Sequence, residues 1–428
     1  MLKRSQICWL LLLAGGFQST QALEFKDNDK IAFLGNTFIE RAQKYGYIET
    51  AITAANPDKN LTFRNLGWSG DTVFGHSRSY FGPPKEGFER LQKLIEEEKP
   101  TLMLLNYGAN ASYEGEAGVA KIVSNNPAND RYESEAGIEK FIAGYERLIQ
   151  MLQKASPDAR IALLTPLPQE GLVPSAPGFS DKALRSIIWN QNRKLSNYRN
   201  AIVKLGMKHG FEVVDLFKAF GEGKQFTLGN AGVELTNNGI HLSESGYWLA
   251  VPYIQSAFGQ SGPHWTYNYD KKQGEKVEIT IHPKKLPCPT FPKDLSRNML
   301  KTEFYSKLGQ NVQIKNLPLG RWKLSTKSGR TLKIAEAKDW AAGIPLYRSN
   351  MPDAQQAEQL RQVIIQKNRL FFHKHRPQNE TYLFGFRKHE QGNNAAEIPK
   401  FQPLIEAKEK EIAKLRVPQP FTLILSKE

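Results

Sequence analysis

Between residues 30 and 258, short apolar runs alternate with longer amphipathic stretches, and this alternation limits the possible fold more than any other feature. The apolar runs cover residues 31–34, 61–63, 102–105, 161–164 and 211–214. Amphipathic stretches with helical periodicity cover residues 87–98, 138–154 and 182–208. Uninterrupted apolar strands separated by helices are typical of a parallel sheet that is covered on both faces. We therefore predict an α/β domain with a doubly wound parallel sheet.

The rest of the chain has a different pattern. After a stretch that contains Gly and Pro at 259–263, short segments at 277–282, 312–316, 322–326 and 331–334 predict β-strands. From residue 352 the pattern becomes helical, through 355–372 and 403–415. The sequence predicts the α/β domain over 23–260, a small β-rich module over 261–347, and a basic, mostly helical C-terminal segment over 348–428.

The first 22 residues have the three parts of a secretory signal peptide. Lys3 and Arg4 form the charged end, residues 7–14 are apolar, and Thr20 and Ala22 supply the small residues before the cleavage site. The apolar run is too short to span a bilayer comfortably, and a retained membrane anchor is the alternative. We predict an exported protein, periplasmic or extracellular, with no membrane span after signal removal.

The net charge of +15 is distributed unevenly along the chain. Residues 261–428 contain 30 Lys and Arg against 16 Asp and Glu, whereas residues 1–260 contain 28 against 27. Affinity for a polyanion would therefore belong to the C-terminal part, and a protein that reads DNA is disfavoured. Cys288 is the single cysteine after the signal, and the Cys and His spacing indicates no structural zinc site.

Four polar, glycine-containing segments lie where the predicted sheet would bind a ligand. Parallel sheets bind ligands beyond the carboxyl ends of their strands. The segments are Gly35-Asn36-Thr37, Ser69-Gly70-Asp71-Thr72, Gly108-Ala109-Asn110 and, before the last helix, Asn238-Gly239-Ile240-His241. A polar segment at 115–130 is long for a connection and predicts a lid or binding loop.

In this order the four segments resemble the motif blocks of the SGNH/GDSL hydrolases, a family of secreted and intracellular esterases. The resemblance covers roughly residues 30–258 and implies a flavodoxin-like SGNH hydrolase fold. It implies that Thr37 stands at the nucleophile position and His241 at the position of the catalytic base. It also assigns Thr37 N–H, Gly70 and Asn110 to the oxyanion hole. No metal or organic cofactor is implied, because acyl transfer by such a set requires none.

Two residues depart from the family pattern. Thr37 stands where the family has serine, and its β-methyl stiffens χ1 and crowds the attacking face. Asn238 stands where the family has the aspartate that orients the imidazole and stabilises its charged form. In serine proteases the equivalent change lowers turnover roughly 10⁴-fold. Three carboxylates are candidates to take over this role: Asp71, Asp215 and Glu234.

Two functions follow from these departures. The first is an exported hydrolase of ester bonds, acting on a small-molecule or polysaccharide ester such as an acyl or acetyl ester of a carbohydrate, with Thr37, His241 and Asn238 as catalytic residues. The second is a catalytically silent SGNH-fold protein that binds a carbohydrate or acyl ligand. Structural roles are the alternative for each residue: Thr37 as a helix N-cap, Gly70 and Gly108 as turn glycines, His241 as a partner at the helix start.

Cationic and aromatic residues alternate in the C-terminal segment. They are Arg369, Lys374, Arg376, Arg387 and Lys388 with Phe371, Phe372, Tyr382, Phe384 and Phe386. Such a surface could bind single-stranded nucleic acid or an anionic polysaccharide, and the predicted export favours the polysaccharide as a partner. The interpretation that we favour is that these aromatic rings pack against the other domains.

Overall fold

The computed structural model describes residues 23–79, 82–113, 137–170, 181–221, 235–260, 264–289, 292, 311–346, 351–391 and 394–428. The predicted signal peptide at 1–22, the predicted lid at 115–130 and Glu234 lie outside these residues. Among the described helices, none is both long enough and apolar enough to cross a membrane.

A five-stranded sheet forms the centre of the α/β domain. Its strands are β1 (Lys30–Gly35), β2 (Thr62–Asn65), β3 (Leu102–Asn106), β4 (Arg160–Leu164) and β5 (Glu212–Val214). They lie in the order β2-β1-β3-β4-β5, and every neighbouring pair is parallel. The central strand β3 is buried along its whole length, which explains its uninterrupted apolar sequence. The predicted doubly wound parallel sheet is confirmed.

Helices cover both faces of this sheet. In chain order they are α1 (Thr37–Tyr45), α2 (Tyr47–Ala55), α3 (Pro84–Glu98), α4 (Ala109–Tyr113), α5 (Ile138–Ala155), α6 (Asp181–His209), α7 (Leu216–Ala219) and α8 (Glu244–Ala257). One core contains residues of α1, α2 and α8, and the other contains residues of α3, α5 and α6. Strand β1 serves both, since Ile31 and Phe33 lie in the first core and Ala32 and Leu34 in the second.

The β-rich module contains two small sheets. Its elements are β6 (His264–Asn268), β7 (Lys276–Ile281), β8 (Asn311–Lys315), β9 (Arg321–Thr326), β10 (Thr331–Glu336), α9 (Ala337–Ala342) and β11 (Ile344–Pro345). One sheet has the order β11-β8-β6. In the other, the strand at 421–427 lies between β9 and β7 and is antiparallel to both.

The sequence places that last strand in the C-terminal helical segment, and the structure places it in the module. Leu423 and Leu425 are fully buried in the module core beside Trp322 and Leu324, whereas Ile424 between them is only half-buried. Without this strand, β7 and β9 would each present an unpaired edge. The module therefore depends on a chain segment far from it in sequence.

A long helix links the module to the α/β domain. Helix α10 (Pro352–His375) is preceded by Met351, which is buried in the module core, and Leu360 packs against Ile412 of a later helix. Near its end, Phe371 lies in the α3/α5/α6 core. The buried Lys367 ammonium donates to Glu49 of α2, with an Nζ–Oε1 distance of 2.6 Å. Phe371 therefore packs against the α/β domain, as we predicted for the aromatic rings of the C-terminal segment.

Two helices and the last strand complete the C-terminal segment. They are α11 (Glu380–Leu383), α12 (Phe401–Leu415) and β12 (Phe421–Lys427). Helix α12 packs along α10. In contrast to Phe371, Phe384 and Phe386 are exposed, so the alternating aromatic residues do not share one environment.

Candidate active site

The turn between β1 and α1 positions Thr37. Gly35 ends the strand with φ of +148°, and a Cβ at this residue would lie 2.3 Å from the Asn106 carbonyl oxygen, so the close approach requires glycine. Asn36 caps α1, because its Oδ1 accepts a hydrogen bond from Phe38 N–H at 3.2 Å. Thr37 is thus the first residue of the helix and not its N-cap.

The second segment brings a backbone donor to the Thr37 hydroxyl. Gly70 N–H donates to Thr37 Oγ1, with an N–O distance of 3.2 Å. The loop is held from within the domain by a fully buried ion pair between Asp71 and Arg78, with an Nε–Oδ2 distance of 2.6 Å. Arg78 also donates to the Leu66 carbonyl oxygen at 2.6 Å. The two groups predicted as nucleophile and oxyanion donor are therefore in contact.

Asn110 in α4 approaches the same loop. Its Nδ2 donates to the Asp71 carbonyl oxygen at 2.8 Å, which leaves the second amide hydrogen for a ligand. Gly108, with φ of +101°, makes the turn from β3 into α4, and a Cβ there would lie 3.2 Å from the Phe141 ring. Both predicted loop glycines are needed for the backbone conformation, and Gly70 also makes the contact with Thr37.

Thr37, Asn110 and His241 line one pocket of about 70 Å³. The side chains of Asn36 and Arg41 line it as well. In the described part of the chain, Thr37 Oγ1 pairs with Gly70 and the imidazole pairs with Asn238, and no hydrogen bond joins Thr37 to His241. The structure thus brings together the four segments that the sequence singled out.

The Asn238 amide presents its nitrogen, and not its oxygen, to the imidazole. Asn238 Oδ1 accepts from the backbone N–H groups of Ile240 and His241, at 3.2 and 2.9 Å. Because backbone N–H groups only donate, these contacts fix which side of the amide is oxygen. The NH₂ group then faces His241 Nδ1 at 3.1 Å. Nδ1 therefore accepts, and the neutral ring carries its proton on Nε2.

The His241 ring is held in its neutral form. Its burial, and then the positive charge of Arg41, lower the pKa of His241 below the usual value of about 6.5. An aspartate at position 238 would act in the opposite direction, because its charge would stabilise the imidazolium and its oxygen would accept from Nδ1–H. Residue 238 thus determines the tautomer of the ring, and because Asn238 is neutral, burial and Arg41 determine the direction of the pKa shift.

Neither described carboxylate that the sequence suggested as a substitute contacts His241. Asp71 is engaged with Arg78. Asp215 caps α7, and its Oδ2 accepts from Arg199 Nε at 2.8 Å. Among the described residues, Asn238 is the one that contacts the ring nitrogen Nδ1 of His241.

Glu170 organises the loop that carries Asn238 and His241, and the sequence analysis missed it. This buried carboxylate accepts from the N–H groups of Leu235 and Thr236, at 2.9 and 2.7 Å, and from the Thr236 hydroxyl at 2.5 Å. Its own N–H donates to the Gly239 carbonyl oxygen at 2.8 Å. Glu170 follows β4 without a motif around it, so no local sequence signal identifies it.

The C-terminal segment reaches the second loop. The Arg376 guanidinium lies over the Trp68 ring at 3.8 Å from its centroid and pairs with Glu40 of α1 at 2.6 Å. Glu40 in turn accepts from Ser69 N–H at 2.6 Å. The residue before Gly70 is therefore connected to α1 and, through Glu40, to the end of α10.

Comparisons with known proteins agree with this fold. Residues 39–249 match the sequence profile of the GDSL-like Lipase/Acylhydrolase family, and the match begins two residues after Thr37. In structure the chain is similar to a gut microbial diltiazem-metabolizing enzyme, with 17% identity and a TM-score of 0.69, over 96% of this chain and 100% of that one. It is also similar to a mutant of an acetylxylan esterase from Geobacillus stearothermophilus, with 16% identity and a TM-score of 0.40, over 55% and 97%. No curated protein matches the chain in sequence.

The parallel sheet and the loops beyond its strands define a hydrolase-type α/β domain. It is this domain, over residues 39–249, that is similar in sequence to the GDSL-like lipase/acylhydrolase family. Its class of chemistry is the hydrolysis of ester bonds. The structural similarity over 96% of the chain shows that the fold of the β-rich module and the C-terminal segment is also shared with another protein.

Proposed function

We propose that this protein is an exported ester hydrolase in which Thr37 is the nucleophile and His241 the general base. The observation that carries the proposal is the contact of Gly70 N–H with Thr37 Oγ1 at 3.2 Å, in a pocket that His241 and Asn110 also line. An ester carbonyl beside this hydroxyl would have three donors near its oxygen: the N–H groups of Thr37 and Gly70 and the Asn110 amide. Such preorganised donors lower the barrier by about 2.7–4 kcal/mol each.

The reaction proceeds by acyl transfer. The Thr37 oxygen bonds to the carbonyl carbon while its proton passes to Nε2 of His241, and the carbonyl oxygen becomes an oxyanion. The oxyanion electrons return, the ester C–O bond breaks, and the leaving oxygen takes the proton from His241 to form the alcohol. Water then attacks the acyl-Thr37 ester in the same way, which releases the carboxylic acid and restores the hydroxyl.

Asn238 makes this reaction slow. Before it can accept a proton at Nε2, His241 must move its own proton to Nδ1, where that proton faces the NH₂ group of Asn238. The charged ring that follows also lacks a carboxylate partner among the described residues. The corresponding replacement in serine proteases costs about 10⁴-fold in kcat. We propose slow turnover of acyl or acetyl esters of small molecules or polysaccharides, which an exported enzyme would encounter.

The test is Asn238→Asp, assayed with 4-nitrophenyl acetate. The carboxylate can accept from Nδ1–H as well as from the two backbone N–H groups, so kcat is expected to rise by about 10²–10⁴-fold. Asn237→Asp is the matched control, because it adds the same charge on the adjacent, exposed side chain, and it should leave kcat unchanged. Thr37→Ala should abolish turnover in the wild-type and Asn238→Asp backgrounds alike.

The tautomer of His241 favours a second function, which is binding of a carbohydrate or acyl ligand without turnover. Under this alternative, the wild type and Thr37→Ala release 4-nitrophenol at the same rate, and Asn238→Asp gives no increase. That result, with all variants folded by circular dichroism, would exclude the hydrolase proposal.

A further inference from the structure

Arg41 extends the candidate site beyond the reacting groups. It lies one helical turn after Thr37 on α1, so the two side chains lie on the same face of the helix. Arg41 lines the pocket together with Thr37 and His241. Among the described residues that line this pocket, Arg41 is the one that carries a permanent charge, and none is a carboxylate.

Arg41 has no counterion within the described part of the chain. The acidic residues nearest to it in sequence and on the facing helix are engaged elsewhere: Glu40 pairs with Arg376, and Glu244 accepts from the Tyr47 hydroxyl at 2.9 Å. The Arg41 Nε atom is buried, and no described group accepts its hydrogen bond. A buried guanidinium donor without an acceptor costs free energy, which a ligand oxygen would recover.

Asn36 supplies a second buried donor that lacks an acceptor. Its side chain is 2% exposed, and its Oδ1 is committed to Phe38 N–H. Its Nδ2 therefore remains, and this atom has no hydrogen-bond partner among the described residues. Asn36 and Arg41 line the same pocket. The pocket therefore contains one fixed positive charge and one neutral amide donor, and neither Arg41 Nε nor Asn36 Nδ2 has a hydrogen-bond acceptor among the described residues. This combination suits a negatively charged oxygen ligand.

We infer that the pocket selects esters that also carry a carboxylate, and that Arg41 is the residue that determines this specificity. The inference rests on the proposed function. Side chains at i and i+4 of a helix have Cβ atoms about 5–6 Å apart. Because both side chains line one pocket of about 70 Å³, the ester chosen for the test is short, with three carbons between its carboxylate and its ester carbonyl. Phosphate and sulfate share the charge of a carboxylate, and the test separates them from it.

The first experiment compares two esters of similar length. The 4-nitrophenyl hemiester of glutaric acid carries a carboxylate, and 4-nitrophenyl hexanoate carries none. The wild type should have the higher kcat/KM for the hemiester. Arg41→Met should lower kcat/KM for the hemiester by about 10- to 100-fold, the range of hydrogen bonds to charged groups, and change that for hexanoate much less. Lys44→Met removes an exposed positive charge from the same helix and is the matched control.

A second measurement does not depend on turnover. Glutarate, inorganic phosphate and sulfate are titrated into wild type, Arg41→Met and Lys44→Met by calorimetry. Glutarate should bind to wild type and Lys44→Met but at least 10-fold more weakly to Arg41→Met, and phosphate and sulfate should bind more weakly than glutarate. Tighter binding of phosphate or sulfate would overturn the choice of carboxylate.

The two proposals can fail separately. If both esters are hydrolysed and Arg41→Met leaves the ratio of their kcat/KM values unchanged, the inference about Arg41 is wrong and the proposed function stands. If neither ester is hydrolysed faster than by Thr37→Ala, the proposed hydrolysis is wrong. Glutarate binding then decides whether Arg41 holds a carboxylate.

Discussion

Two sides of the pocket, which we name for their proposed roles, are supported in different ways: the oxyanion side with Gly70 and Asn110, and the proton-transfer side with Asn238 and His241. On the oxyanion side, the loop that carries Gly70 is tied to a fully buried ion pair, Asp71 with Arg78, and Asn110 bonds to the same loop. On the proton-transfer side, Asn238 is exposed, and its amide is held by the backbone of its own turn. Hydrogen bonds hold both sides, but the two sides differ in how far they keep the family pattern.

This difference bears on what the chain does with a ligand. Two of the proposed carbonyl-oxygen donors, Gly70 and Asn110, keep the residue types of the family motif, and both make hydrogen bonds at the pocket. The residue that would make imidazole a strong base has changed from a carboxylate to an amide. Glu170 nevertheless holds the turn that contains Asn238 through three hydrogen bonds. The turn that carries His241 is therefore fixed by a buried carboxylate, while the ring itself faces a neutral amide.

The largest expected effect comes from breaking the support of the oxyanion side. Arg78→Met would leave Asp71 as a buried charge without its partner, so the free energy of unfolding should fall by about 3–5 kcal/mol. Chemical denaturation measures this change. Lys93→Met, at a 77% exposed side chain of α3, is the control and should have little effect. A loss as small as that of the control would mean that the ion pair does not hold the second loop.

A smaller effect concerns the pH at which His241 becomes protonated. Burial and Arg41 lower its pKa, so protonation inactivates the base only below the usual histidine value of about 6.5. Activity should therefore persist as the pH falls through 6.5 and be lost at lower pH. Asn238→Asp adds an adjacent negative charge, which raises the pKa and should move the acid limb of kcat/KM upward by about one pH unit or more.

The control for this pH profile is again Asn237→Asp. Its carboxylate is exposed to solvent and screened, so it should leave the acid limb near that of the wild type. Equal acid limbs for wild type and Asn238→Asp would show that residue 238 does not set the charge of the ring, and the contrast between the two sides of the pocket would lose its electrostatic basis.

Much of the fold could be predicted from the sequence because its signals are local. Strand β3 is buried on both faces, so its apolar run is continuous, and α5 keeps its helical periodicity over 138–155. The strand at 421–427 was missed although its apolar residues favour a strand, and what its own residues do not reveal is that it pairs with β7 and β9. Partners distant in sequence leave no local pattern.

The candidate site could be predicted in part because several of its residues lie in local motifs. The prediction was incomplete because other residues are defined only by contacts with parts of the chain distant in sequence. Thr37, Gly70, Asn110 and His241 lie in recognisable segments at the ends of strands or before a helix, and the sheet topology brings these ends together. Arg41 is an ordinary helix residue in sequence. The proposed role of Arg41 depends on which side of α1 faces the pocket, and on the fact that the neighbouring carboxylates pair with other residues.

The smallest predicted effect is on kcat/KM, and it tests whether the C-terminal segment supports the oxyanion side. Arg376→Met removes the guanidinium over Trp68 and the partner of Glu40, which accepts from Ser69 N–H. A partly exposed cation–π contact contributes about 0.5–1 kcal/mol, so kcat/KM on 4-nitrophenyl acetate should fall by roughly two- to fivefold. Arg387→Met is matched, since Arg387 also lies over an aromatic ring, Tyr382, and pairs with a carboxylate within the C-terminal segment.

A fall in kcat/KM for Arg376→Met but not for Arg387→Met would connect the end of α10 to the second loop, because both variants lose the same charge and a similar stacking contact. Equal activities would restrict the role of Arg376 to packing. In that case the buried pair of Asp71 and Arg78 is sufficient to hold Gly70 against Thr37, and the α/β domain supports its oxyanion side without the C-terminal segment.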